Sequence, residues 1–170
     1  MAQAAMPVSQ QLPLLLKVLT YDRQFEARMS PKLVVGIIFI PTDAESLSVT
    51  NDMIRMLRRT KGKTVRGLPI EFVNVPFDTE GKLTEAVEQE GINLFYVAPG
   101  TDAHLDAILR VARAKHITTT TGVTSYVRQG VAVGIGLHLG KPQISINLET
   151  SKSEGSEFEA TLLRIATVVQ

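Results

Sequence analysis

The chain has 170 residues, a length that fits one domain and can bury a core without metal or disulfide support. Eighteen Lys and Arg stand against 17 Asp and Glu with no dominant basic block, which argues against nucleic acid as a partner. Cysteine is absent, excluding thiol chemistry and cysteine-type zinc sites, and no apolar run reaches the ~20 residues of a membrane span.

The opening "MAQAAMPVS" has neither a basic n-region nor an apolar h-region, so it is no signal peptide as it stands. Ala2-Gln3-Ala4 nevertheless has the small-residue pattern of a signal-peptidase site. Residues 1–8 are expected to be a disordered tail or the remnant of a processed signal, and residues 9–170 a single domain. Leu12, Leu15, Leu16 and Leu19 recur at helical spacing and predict a first helix from about Ser9 to Arg28. "KLVVGIIFIP" is a continuous apolar run, as expected of a strand covered on both faces. Thr42 three residues before Glu45 suggests a capping box, opening a helix marked by Leu47, Ile54 and Leu57 that ends near Gly62.

"LPIEFVNVPF" alternates like a strand, and "GKLTEAVEQEG" reads as a short helix closed by Gly91. "INLFYVAPG" is a further buried strand, followed by a helix with Thr101 or Asp102 at its cap. "ITTTTG" is a β-branched strand and "VTSYVRQG" a helical turn. "VAVGIGLHLGKPQISINL" reads as a hairpin turning around Gly140-Lys141-Pro142. A closing helix capped by Ser153 or Ser156 should bury Phe158, Leu162, Ile165 and Val169. The expected fold class is therefore α/β. It is a mostly parallel, three-layer sheet of flavodoxin or Rossmann type, with an antiparallel C-terminal hairpin and a closing C-terminal helix.

Open sheets of this kind bind ligands at the carboxyl ends of their strands, and each end can be tested. The first strand runs into Ile40-Pro41-Thr42, without the glycines of a dinucleotide turn, and no P-loop motif occurs. Gly134 and Gly136 share one face of a strand, which favours close packing over ligand approach. The strand ends also lack the acidic residues of a phospho-acceptor domain. No G-x-S-x-G elbow exists, and His104, His116 and His138 are scattered without metal-ligand spacing. No catalytic residues, metal or cofactor are expected. The remaining polar residues near strand and helix ends are Tyr21, Arg23, Thr101, Asp102, Thr121, Gly122, Ser125 and Asn147. They form the candidate ligand-binding set. Arg23 can clamp a carboxylate or phosphate, and an ion pair with Asp22 or Glu26 is the simpler reading.

The closing stretch "ISINLETSKSEGSEFEATLLRIATVV" carries Ile146, Asn147, Leu148, Gly155, Leu162, Leu163, Ala166, Val168 and Val169 in a recognisable pattern. With "ITTTTGVTSYVRQGVAVGIGL" and "INLFYVAPGTDAHLDAIL", it resembles the YfiR/HmsC-like family of periplasmic regulatory domains. The resemblance implies an exported, non-enzymatic α/β domain that binds and modulates a membrane-bound signalling protein. That partner is typically a diguanylate cyclase controlling cyclic di-GMP output and biofilm formation, and a sensor kinase stays open. The best-known members carry disulfides, so redox control is not carried over to a chain without cysteine. The alternative from a different class is a small-molecule solute-binding domain, related to half of a periplasmic binding protein, that acts with a sensor kinase or transporter. An exposed face on the first helix leaves a homodimer open.

Overall fold

The apolar run after Lys32 becomes the centre of the molecule. The computed structural model, which describes residues 5–170, places Leu33–Phe39 as strand β1 with all seven residues buried. Side chains alternate across a strand, so Leu33, Val35 and Ile37 enter one apolar core while Val34 and Ile38 enter another. The Ala2-Gln3-Ala4 pattern lies outside the described residues.

Helices α1 (Val8–Leu19) and α2 (Phe25–Met29) precede β1. After it come α3 (Ala44–Arg58), β2 (Thr64–Val65), β3 (Leu68–Pro76), α4 (Glu80–Glu90) and β4 (Leu94–Val97). A 3₁₀ turn at Asp102–His104 leads into α5 (Leu105–Lys115), then β5 (Thr118–Thr121), α6 (Ser125–Arg128), β6 (Val133–His138) and β7 (Lys141–Asn147). The chain closes with α7 (Leu148–Ser153), α8 (Ala160–Ile165) and β8 (Thr167–Val169). Among the described residues, eight strands lie in the order β2-β3-β1-β4-β5-β6-β7-β8. Strands β3, β1, β4, β5 and β6 are mutually parallel, β7 is antiparallel to β6, and β8 is parallel to β7. The expected α/β class is the observed one. The strand order reverses direction at β1, which sets the topological switch point between the ends of β1 and β4.

Several elements differ in detail from the sequence reading. The first helix does not run to Arg28: it stops at Leu19, because the backbone of residues 21–23 bonds to the distant C-terminal segment. Arg23 N–H donates to Glu157 O and Glu159 N–H to Tyr21 O, both at 2.9 Å. The helix also begins earlier than expected, and Met6 ahead of it is buried in the core. Asp43, not Thr42, caps α3, accepting from Ser46 N–H at 2.8 Å. Helix α3 buries Ser46, Thr50, Met53 and Leu57, while Leu47 is exposed. Neither Thr101 nor Asp102 caps a helix through its side chain.

The hairpin turns at Leu139-Gly140, both with positive φ, the geometry that matches the twist of a two-residue connection. Pro142 then sits within β7, opposite Leu137, at a position β8 does not reach, and there its missing N–H costs nothing. The largest difference is at the C-terminus. One striped helix was expected, and the chain instead forms α7, α8 and a short edge strand. Asn147 caps α7, and α8 starts after Glu159 with no side-chain cap, so neither Ser153 nor Ser156 caps the closing helix. Leu162 is buried at 1% exposure, but Ile165 is 72% exposed, and the β-branched Thr167-Val168-Val169 extends the sheet instead.

Candidate functional site

At the carboxyl pole of the sheet, β4 and β5 each end in a run of polar and glycine residues. Thr101 is fully buried, and its hydroxyl donates to Ala98 O at 3.0 Å. Thr121, also buried, donates to Val97 O at 2.8 Å and accepts from Val123 N–H at 3.1 Å. These bonds close the turns and leave neither hydroxyl poised against a general base. Ser125 is exposed at the start of α6. Asp102 accepts a hydrogen bond from the Tyr126 hydroxyl. Burial, reinforced by that bond and by the Asp102 charge, pushes the phenol up to about 12.

Sequence reasoning missed three partners here. Gln11, from the first turns of α1, is buried over Gly122: a Cβ on that glycine would stand 2.4 Å from the Gln11 amide. The same amide accepts from Tyr96 OH at 2.7 Å and donates to Met6 O at 2.5 Å. Gly100, with φ of +84°, faces the Asp43 carboxyl across the switch point, where an added Cβ would lie 2.8 Å from its carbon. The polar glutamine on an otherwise apolar helix face was the available signal for the first contact. Nothing local in the sequence signalled the second.

The structure thus brings Thr101, Asp102, Thr121, Gly122 and Ser125 together at the carboxyl pole. It does not bring Tyr21, Arg23 or Asn147 to them. Asn147 lies at the opposite pole, accepting from Thr150 N–H at 3.1 Å and donating to Val127 O at 3.0 Å. It ties the start of α7 to α6. Tyr21 and Arg23 lie on the loop between α1 and α2. Arg23 pairs with Glu157 at 3.5 Å, not with Asp22 or Glu26, and both side chains are more than half exposed. Gly134 and Gly136 pack under α6: a Cβ there would stand 2.5 Å from Val127 and 2.4 Å from Thr124.

The amino pole holds a buried ionic cluster that spacing did not reveal. Arg28 bonds Asp22 at 3.2 Å, Ser156 at 3.0 Å, and the carbonyls of His116 and Glu154 at 2.8 and 2.9 Å. Asp22, with no exposed surface, also accepts from the Gln24 and Glu157 amides at 2.9 Å. The Glu154 carboxyl, equally buried, accepts from Thr119 N–H at 2.9 Å and from its hydroxyl at 2.7 Å. Burial pushes Glu154 up to about 8, against the opposing pull of the Thr119 bonds and of Arg28. Burial lowers the Arg28 pKa, and the nearby Asp22 and Glu154 oppose it.

Four surface cavities of about 300 to 590 Å³ lie elsewhere, and none of these four is lined by the five carboxyl-pole residues. Asn147 lines one of about 500 Å³ with Arg113 and Arg128, and Arg23 lines one of about 320 Å³ with Leu148 and Phe158. Among the described residues, no group of histidines and carboxylates is arranged to hold a metal, and no helix is long and apolar enough to cross a membrane.

Among solved structures, the chain is similar to a conserved domain protein from Vibrio cholerae O1 biovar El Tor, with a TM-score of 0.67 and 14% identity over 99% of this chain and 62% of that one. A Streptococcus domain in complex with L-Trp gives 0.62 and 13% identity, over 96% of this chain and 60% of that one. A ligand-free, open substrate-binding protein with adhesive properties from Clostridium difficile gives 0.63 and 12% identity, over 86% and 57%. At these identities the likeness is one of fold, and the chain spans about 60% of the length of those proteins. No curated protein matches the chain. The sequence profile of one family matches residues 39–167, from the end of β1 into β8. The chain belongs to the YfiR/HmsC-like family.

Proposed function

We propose that this protein is a non-enzymatic regulatory domain acting in the periplasm, where it binds a membrane-bound signalling protein and sets its output. Family membership over most of the chain carries the reading. On this reading the partner is a diguanylate cyclase, and the output is cyclic di-GMP and biofilm formation. The turn-closing hydrogen bonds of Thr101 and Thr121 support a non-catalytic pole, since their hydroxyls serve the backbone. The test is co-purification of the tagged chain from detergent-solubilised membranes of its host, with cyclic di-GMP measured in cells with and without it. Capture of a cyclase, with cyclic di-GMP rising when the gene is deleted, supports the reading. Capture of a sensor kinase, with cyclic di-GMP unchanged, replaces the cyclase as partner.

A second reading is a small-molecule response, favoured by a substrate-binding protein and a domain in complex with L-Trp, both of similar fold. Thr101, Asp102, Thr121, Gly122 and Ser125 would form the rim at the switch point, with Tyr21, Arg23 and Asn147 serving a contact at the other pole. A thermal-shift panel of amino acids, L-tryptophan among them, tests it. A true ligand at 100 times its Kd adds about 2.7 kcal/mol to stability, and a flat panel removes those amino acids as ligands.

A further inference from the structure

Strand β3 forms one margin of the sheet, and β2 covers only its beginning, pairing Thr64 with Pro69 and Val65 with Leu68. Among the described residues, Ile70–Val75 has a strand on one side only, that of β1. An uncovered edge is a row of backbone donors and acceptors ready to pair. Pro69 and Pro76, which have no N–H to offer, bracket this stretch and confine pairing to the six residues between them.

Beside that edge lies a surface cavity of about 590 Å³ between β3 and the end of α3. Leu57, Pro69, Ile70 and Phe72 give it an apolar lining, and exposed Arg58, at the end of α3, lines it with Lys61 and Lys63 from the turn beyond. None of these three cations has a salt bridge among the described residues. The one acid on the lining, Glu71, is held by Lys32 at 2.8 Å. Three unanswered positive charges therefore stand around an apolar slot that opens beside an unpaired strand.

We propose that β3 is a docking edge for an extended segment of a partner protein that carries apolar and acidic residues together on one face. The segment adds as a new strand along Ile70–Val75. Alternate side chains of a strand share one face, so every second residue can enter the slot beside Ile70 and Phe72. Acids at other positions on that same face then answer Arg58, Lys61 and Lys63 around the slot. Main-chain bonds supply affinity and the slot supplies selectivity, as in other strand-addition complexes. This inference rests on reading the chain as a protein-binding regulator, and it names the surface.

The test uses the full chain and a fluorescent heptapeptide with glutamate and valine on one face and threonine on the other, compared with the same peptide N-methylated at alternate residues and with a version carrying lysine for glutamate. The expected result is saturable binding of the glutamate peptide, with slowed amide exchange at residues 70–75. Affinity should fall at least about tenfold on N-methylation, which removes the strand-pairing donors. It should also fall about tenfold when ionic strength rises from about 0.01 to about 0.15 M, or in the double variant R58E/K63E. Both substituted residues are exposed, so the variant should keep the parent's circular dichroism; the N-methylated peptide tests the pairing on the unaltered protein regardless. Absence of binding, binding indifferent to N-methylation, or equal binding of the lysine peptide overturns the proposal. Concentration-dependent self-association that protects residues 70–75 without peptide gives the edge to a second copy and also overturns it. Because no membrane protein is present in the assay, failure here leaves the outcome of the co-purification experiment unaffected.

Discussion

Removing the Arg28 guanidinium would leave the fully buried Asp22 carboxylate without its counter-ion. Breaking a buried pair from one side costs about 3–5 kcal/mol, so Arg28→Ala should lower the urea midpoint sharply. Arg23→Ala, which removes an exposed pair with Glu157, should change stability by less than about 1 kcal/mol. Glu154 makes a different prediction, in pH. Its folded-state pKa of about 8 lies above the ordinary carboxylate value, so the folded protein holds a proton there that the unfolded chain releases. Its contribution to stability is full below about pH 4.5 and is lost as pH rises through about 8. Urea titrations between those limits should show stability declining by up to a few kcal/mol. Glu154→Gln, which keeps the neutral shape and both Thr119 contacts, should flatten that decline; an unchanged slope would remove Glu154 as its source. None of this was legible in sequence. Asp22 stood in view in "YDRQF", but the Glu157 amide it accepts from lies 135 positions away, and local spacing carries no signal across such a gap.

At the scale of elements, periodicity located most helices and strands because it depends on neighbours within one or two turns. Leu33–Phe39 was readable because both its faces are buried, and Gly91 because the chain turns there with φ of +67°. The C-terminal segment misled for a physical reason. Phe158, Leu162, Ile165 and Val169 fit a helical stripe, yet Asn147 caps a separate short helix and Thr167–Val169 pairs with β7. The consequence is measurable. Leu162→Ala should cost about 2–5 kcal/mol, as expected for a filled core position, whereas Ile165→Ala should be nearly neutral. Equal effects from the two would restore the single-helix reading. Under α6, Gly136→Ala places a methyl against Thr124 and should cost about 1–3 kcal/mol by overpacking, read as a lower thermal midpoint. Of the candidate residues, the five after β4 and β5 were found together because strand ends in this fold class share one pole. Tyr21, Arg23 and Asn147 were grouped with them by polarity alone, and topology separates them.

For the whole molecule, the two cores share the same strands, and β1 and β4 each contribute side chains to both. Unfolding one face strips the other, so the chain should melt as a unit. Tyr96 belongs to one core and Tyr126 to the other, and there is no tryptophan to mask them. Tyrosine fluorescence and far-ultraviolet circular dichroism should therefore trace one coincident urea transition. Separated curves would mean that the two faces unfold independently. The buried ionic cluster has a further consequence, in time. Asp22 and Arg28 are made well before the Glu157 amide, the Ser156 hydroxyl and the Glu154 carbonyl that complete their bonding. A chain delivered amino end first cannot fasten this clasp until residues 154–157 have emerged.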